Sequence, residues 1–462
     1  VVGAVGPRIA VLDHHDRLTR AARQTRQRAR AGVGARGRAG DERRDDRDRR
    51  EEGRGRTTPG AEHPPNLPRR YPEPVPQDRP MRPETRAVHV GRDASRSLAP
   101  AIWPSSTWSY DGLEAGETHT RALHGTGYYS RWGNPTTDAF ERAIAELEGA
   151  ESALAFGSGM GAIATTVLAL CGTGSHVVAQ ASCYGGTHAF LAGPCARLGI
   201  EVTWVDGARP GAFAEAVRPG RTMLVMAETP SNPRTQIVDL AALGAIRGPY
   251  TLVDSTLATP LGQRPHDFGV SLVLHSATKG IAGLNDATIG VVSGERELVD
   301  AIWSYSVLHG ATASPYDAAS ALKGLRTLDV RLDRQCATAH RLAEWLESQP
   351  AVAAAWHPAL ASHPQHELAA RQMRRLGSIL SVDLRGGREA ASRLMSRLRV
   401  ARPAVTLGGP ETLVSHSVSS THGALGPDAR EAALIGEGTL RISVGLEAFE
   451  DLRDDLAQAL AG

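Results

Sequence analysis

Short apolar runs and helical patterns alternate from about residue 151 onward. The apolar stretches Ser152–Phe156, His176–Ala179, Val202–Val205, Met223–Ala227, Thr251–Val253 and Ser271–His275 have the length and bounding residues of buried strands. Between the first two lies a glycine turn followed by the apolar stretch Ala162–Leu170, which reads as a helix; Thr137–Leu147 upstream reads as an amphipathic one. This alternation predicts an α/β domain with a mostly parallel sheet. Beyond about Tyr316 the texture changes. Long helical stretches, Ala319–Leu328 and Ala337–Gln349, precede the strands Ile379–Leu384 and Leu440–Val444, which predicts a smaller C-terminal α+β domain. The expected organisation is an extension over 1–80, an arm and helix over 81–150, the α/β domain over 151–315 and the small domain over 316–462.

The extension differs from the rest. Asp41–Arg56 is almost wholly Arg, Asp, Glu and Gly, and Pro64–Pro80 is dense in proline. Such a composition buries too little apolar surface to offset ordering entropy, so disorder is expected there. Its arginines are interleaved with carboxylates, which argues against a nucleic-acid arm. The whole chain of 462 residues carries 52 basic and 50 acidic side chains, a net +2, so no strongly charged partner is implied. No apolar run is long enough to cross a bilayer, and the Arg-rich, acidic beginning lacks the apolar core of a secretory signal. The four cysteines show no CxxC pair and no zinc spacing. A cytoplasmic protein without a metal is expected.

The chemistry begins with lysine. Lys279 and Lys323 are the only lysines in a chain rich in arginine. Lysine differs from arginine in that it can lose its proton near neutrality, so a retained lysine suggests a nucleophilic amine. Lys279 follows an apolar strand within His275–Lys279, whereas Lys323 lies in a helix and reads as a surface residue. Asp254 ends the strand Thr251–Val253. Gly157-Ser158-Gly159-Met160-Gly161 links a strand to a helix, where successive N–H groups can bind phosphate. This turn is neither GxGxxG nor GxSxG, which argues against an NAD-linked oxidoreductase and a hydrolase elbow. A phosphate turn, a carboxylate and an amine at strand ends of one sheet suit pyridoxal 5′-phosphate (PLP).

The motifs Tyr129–Thr136, Ser158-Gly159-Met160, Tyr184–Thr187, Ser231-Asn232-Pro233, Ser276–Lys279 and Arg441–Glu447 resemble the Cys/Met-metabolism PLP enzymes, in order, from about residue 84 to the C-terminus. The resemblance implies the aspartate-aminotransferase-like (type I) fold. It implies that Lys279 carries PLP as a Schiff base and shuttles protons, that Asp254 pairs with the pyridine nitrogen, and that Asn232 lies by the ring hydroxyl. Tyr184 is expected on the ring face, assisting the leaving group. The turn Ser158, Gly159 and Met160, with the Ser276 and Thr278 hydroxyls, is expected to hold the phosphate. Tyr129 and Arg131 are expected to reach it from a neighbouring subunit, which implies a homodimer and usually a dimer of dimers. Arg441 is expected to bind the substrate carboxylate, helped by Thr406 and Val405.

Within the family, the lack of an Arg at Ala189 and of a Glu at Val405 removes charges suited to cystathionine. The stretches Tyr184–Leu191 and Pro358–Met373 look most like methionine γ-lyase. Gly186, His309-Gly310, Leu284, Ser255 and Gly280 depart from that pattern. The expected reaction is an α,γ-elimination on methionine or a similar amino acid. Cystathionine γ-lyase or γ-synthase activity, or sulfhydrylase activity on an O-acylhomoserine, is the alternative.

Overall fold

The computed structural model describes residues 81–91, 97–423 and 426–461. The expectation of disorder over 1–80 lies outside the described residues.

Seven strands form the larger sheet, in the order β1-β7-β6-β5-β4-β2-β3. They are β1 (Ser152–Phe156), β2 (His176–Gln180), β3 (Glu201–Val205), β4 (Thr222–Glu228), β5 (Tyr250–Asp254), β6 (Leu272–His275) and β7 (Gly290–Gly294). Only β7 runs against its neighbours, between β1 and β6; β3, β2, β4, β5 and β6 pair in parallel. All six apolar stretches expected to be strands form strands, within two residues at each end. The strand β7, Gly-Val-Val-Ser-Gly, is absent from the sequence reading because two bounding glycines and three inner residues resemble a turn as much as a strand. Burial on both faces decides it.

Alternation along the strands feeds two cores. Leu224, Met226, Leu252, Leu272 and Leu274 point to one face, under the helix Gly159–Leu170 and the helix Arg296–His309. Val225, Ala227, Val253 and Val273 point to the other, against Leu240 and Leu243. Each Leu, Met or Val among them contributes about 1.5–3 kcal/mol on full burial.

Local signals place the helices that frame the site. Asn134 caps the helix Pro135–Glu148, its Oδ1 accepting from the Thr136 N–H at 2.9 Å, with proline at the first position and Gly149 ending the helix at φ 72°. Ser158 caps Gly159–Leu170, accepting from the Gly161 N–H at 3.0 Å. The expected helices Ala319–Leu328 and Ala337–Gln349 are instead Pro315–Leu325 and Leu328–Glu347. The first starts early because Ser314-Pro315 supplies a cap and first-turn proline, Ser314 Oγ accepting from the Tyr316 N–H at 3.2 Å.

The second sheet has the order β10-β11-β12-β9-β8, with β8 (Val352–Trp356), β9 (Ile379–Leu384), β10 (Arg402–Pro403), β11 (Leu413–His416) and β12 (Thr439–Ser443). Leu380, Val382, Leu440 and Ile442 pack with Leu342 and Leu346 of Leu328–Glu347 and Leu452 and Leu456 of Phe449–Leu460. The central strand β12 thus holds Arg441 at a fixed height, flanked by Ser415 and Ser381.

Close backbone contact ties β7 to the glycine turn: a Cβ on Gly290 would lie 2.2 Å from the Ser158 carbonyl oxygen and 2.9 Å from Gly159 Cα. Neither neighbour is a flexible side chain. Gly290→Ala is therefore expected to destabilise the fold by about 1–3 kcal/mol and to weaken anion binding at the turn, as read by thermal melting and by phosphate titration.

Candidate active site

The parallel strands deliver their C-terminal ends to one edge of the large sheet, where ligands collect in such folds. β1 leads into the turn at Ser158, β2 into Tyr184, β4 ends at Glu228 before Asn232, β5 ends at Asp254, and β6 leads through Ser276 and Thr278 to Lys279. A cavity of about 490 Å³ opens there. Its walls include Ser158, Gly159, Met160, Tyr184, Asn232, Asp254, Ser276, Thr278, Lys279, Val405 and Arg441. Residues picked from seven separate stretches of sequence therefore meet. A larger cavity of about 830 Å³, between residues 207–214 and 361–371, is lined by none of them.

Thr406 bridges the two cations. Its Oγ1 accepts from Lys279 Nζ at 3.0 Å, and its carbonyl accepts from Arg441 Nη2 at 2.8 Å. Arg441 Nη2 also donates to the Val405 carbonyl at 3.0 Å, and Nη1 makes a long contact of 3.5 Å with Asn232 Oδ1. Arg441 is 1% exposed, its Nε has no partner, and among the described residues no carboxylate pairs with it. A buried guanidinium with free donors calls for an anionic ligand. Burial lowers the Arg441 guanidinium to about 10. Burial, and then the neighbouring Arg441, lower the Lys279 amine below its ordinary value, which favours the nucleophilic neutral form. Lys323 is exposed, as expected.

Asp254 Oδ1 accepts from the Thr256 N–H at 3.0 Å and from the Thr256 hydroxyl at 2.5 Å; Thr256 Oγ1 in turn accepts from the Ser276 N–H at 2.8 Å. Desolvation raises the Asp254 carboxyl, opposed by the Thr256 bonds and by His275. Thr278 lines the cavity with its hydroxyl engaged by Ile289, donating to the carbonyl at 3.1 Å and accepting from the N–H at 2.9 Å. Tyr129 and Arg131 do not line the cavity of their own chain. Arg131 Nη1 donates to the Val307 carbonyl at 2.6 Å, and Tyr129 is 40% exposed.

Sequence reasoning missed Glu228, Thr256, Leu407, Ser420 and Thr421, all lining the cavity. Glu228 carried the same signal as Asp254, a carboxylate closing an apolar strand. The others carry no signal before the chain folds. Among the departures, Ser255 is buried and accepts from Gln263 Nε2 at 3.1 Å, and His309 Nε2 meets Thr165 Oγ1 at 2.8 Å. Gly280 faces Gly408, whose Cβ would lie 2.5 Å from the Gly280 nitrogen, so two backbones touch beside Lys279. Leu284 is 47% exposed.

An amine that can deprotonate, an anion-binding helix terminus, a strand-end carboxylate and a free buried guanidinium together fit a cofactor bearing an aldehyde, a phosphate and a basic ring nitrogen. Gly159 supports the fit, since a Cβ there would lie 2.7 Å from Ser276 Cβ and close the floor of the turn. The fold and site thus define an amino-acid-processing PLP enzyme. Residues 84–461 match the model of the Cys/Met metabolism PLP-dependent enzymes, and the chain belongs to that family. It is 39% identical over 386 residues to an L-methionine gamma-lyase of Treponema denticola, covering 81% of this chain and 96% of the relative. It is 41% identical over 336 residues to an O-succinylhomoserine sulfhydrylase of Pseudomonas aeruginosa, covering 72% and 83%. A crystal structure of cystathionine gamma synthase from Xanthomonas oryzae in complex with cystathionine superposes with a TM-score of 0.78 at 37% identity, over 83% of this chain and 98% of that one. PLP is the cofactor of the family.

Two outcomes follow from this geometry. A Cβ on Gly186 would lie 2.5 Å from Tyr184 Cε1 and 3.1 Å from Met160 Sδ, so Gly186→Ala should push the Tyr184 ring aside and lower kcat/KM on the order of tenfold, as read by steady-state kinetics. In cofactor-depleted protein, reductive methylation of Lys279 should reach half its maximal rate at a lower pH than a free lysine side chain, because burial and Arg441 both disfavour the ammonium. Arg441→Gln removes one of these two causes and should move that midpoint upward, as read by mass spectrometry across pH.

Proposed function

We propose that the protein is a PLP-dependent γ-lyase that cleaves methionine or a compact γ-substituted relative to a 2-oxo acid, ammonia and a thiol. The observation that carries this reading is the composition of the cavity wall. Its charged residues are Glu228, Asp254, Lys279 and Arg441, and all four sit at the sheet edge and β12. The remaining wall includes Met160, Ile163, Val405, Leu407, Ser420 and Thr421. No further cation lines the described cavity to meet a second substrate carboxylate, so a short apolar thioether suits it better than a doubly charged chain.

In this reading Lys279 is the tether. The bound cofactor supplies an electron sink for charge developing at the substrate Cα. Arg441 takes the substrate carboxylate, replacing its missing partner, while the Val405 and Thr406 carbonyls hold the guanidinium flat against β12. Lys279 would take the Cα proton, and Thr406 Oγ1, which accepts from its nitrogen at 3.0 Å, would fix where that nitrogen stands. Tyr184 covers the ring face and assists the departing sulfur. Asp254, held by Thr256, would pair with the ring nitrogen, and Asn232 would lie by the ring hydroxyl. Ser158, Gly159, Met160, Ser276 and Thr278 would hold the phosphate.

The reading includes a homo-oligomer in which residues 81–150 form an arm and Tyr129 and Arg131 complete a neighbouring subunit's site. Supporting it, Leu98, Ile102, Trp103, Tyr110, Leu113 and Leu123 all stand exposed within that segment. The four free cysteines support a cytoplasmic setting. A second reaction, γ-replacement on an O-acylhomoserine by a thiol, uses the same residues, and the 41% identity to a sulfhydrylase favours keeping it.

The deciding assay is release of 2-oxobutanoate from L-methionine. Wild-type protein should release it; Lys279→Ala should release none, and Arg441→Gln should raise KM at least about tenfold, given the loss of a bidentate charge-assisted contact. A cofactor-loaded wild type that leaves methionine untouched but joins a thiol to O-succinylhomoserine would replace elimination with γ-replacement.

A further inference from the structure

Glu228 has no role in the reaction just described, yet it is among the most costly residues in the site. It ends β4 directly beside Asp254, its register partner at the end of β5, and is 4% exposed. Two neighbouring buried carboxylates repel: desolvation and then Asp254 push the Glu228 carboxyl upward, and the N–H bonds from Tyr184 and Asn232 act against that rise. The fold accepts that cost while using both carboxylate oxygens. Oε2 accepts from the Tyr184 N–H at 2.8 Å, and Oε1 accepts from the Asn232 N–H at 2.7 Å. The backbone of Glu228 is itself anchored, its N–H donating to Gln180 Oε1 at 2.8 Å.

The two amides come from different parts of the chain. Tyr184 precedes the short helix Gly185–Phe190 after β2, and Asn232 lies in the loop after β4. Tyr184 is 39% exposed, its ring standing in the cavity, and among the described residues its hydroxyl makes no hydrogen bond. Its backbone tether therefore decides where the ring stands. Asn232 likewise meets Arg441 only through the long 3.5 Å contact. A carboxylate is the one side chain of this length that accepts at both ends; glutamine would turn an NH₂ group toward one of the two N–H donors.

We infer that Glu228 is a positioning residue, whose two oxygens hold the Tyr184 and Asn232 backbones in register at the cofactor ring. The inference rests on the reading of the site proposed above.

The test compares wild-type, Glu228→Gln and Glu228→Asp holoenzymes by visible circular dichroism of the bound cofactor and by steady-state kinetics. Glu228→Gln keeps the size but loses one acceptor; Glu228→Asp keeps the charge but is one methylene too short to span both amides. Both are expected to retain cofactor, to show an altered dichroic band, and to lose about 10- to 100-fold in kcat, the range typical of lost supporting contacts, with KM changed less than about threefold. A band and kcat like those of wild type in either variant would overturn the inference, as would a lower melting temperature with the band unchanged. If Glu228→Gln is insoluble, Glu228→Asp decides; insolubility of both assigns Glu228 to folding and overturns it as well. A wild type that binds cofactor but releases no keto acid would remove the proposed substrate, and the dichroism comparison would still decide Glu228.

Discussion

A guanidinium and an amine line one cavity, and among the described residues no carboxylate pairs with the guanidinium. Arg441 and Lys279 are both pulled toward neutrality by burial, and Arg441 adds to the effect on Lys279. Two partly buried cations this close favour the arrival of an anion or the loss of a proton from one of them. Arg441 keeps its charge and its free Nε, so it awaits an anion. Burial and Arg441 both lower the Lys279 amine, which favours its neutral form. The division of labour follows from chemistry alone, because arginine holds its proton where lysine does not.

The rest of the fold keeps this arrangement rigid. Arg441 sits on the central strand of the small sheet, while Lys279 follows the sixth strand of the large one. The segment Val405–Gly408 joins them: its carbonyls orient the guanidinium, the Thr406 hydroxyl meets the amine, and Gly408 lies against the backbone of Gly280. Gly408 also adopts φ 77°, so glycine is required there both for conformation and for space. On the opposite wall the carboxylates are similarly braced, Asp254 by Thr256 and Glu228 by two backbone amides. Each charged group is thus held by neighbours that do not react, which is how a site stays pre-organised without the ligand.

The departures from the family pattern that the sequence displayed have different weights once folded. Gly186 touches the ring of Tyr184 and Gly280 touches Gly408, so both bear on the shape of the cavity. Ser255 lies just behind Asp254, held by Gln263. His309 pairs with Thr165 near the middle of the helix that begins at the glycine turn. Leu284 is largely exposed.

The sequence alone marked six of the seven strands of the larger sheet, the glycine turn, Lys279 and the strand-end Asp254, because each depends on nearby residues: an apolar run, a glycine cluster, a residue type. It also determined the family, since six motifs in order carry more information than any one of them. It left β7 unread, because two glycines hide a strand whose pairing comes from β1 and β6. It started Leu328–Glu347 nine residues late, where the pattern of two consecutive helices runs on without a break. Only the tertiary structure decided that Glu228 lies beside Asp254, that Thr406 bridges Lys279 and Arg441, and that Arg441 is left without a carboxylate. Those are facts of contact between residues 26 to 209 positions apart, and desolvation, which sets their chemistry, exists only after the chain has closed around them.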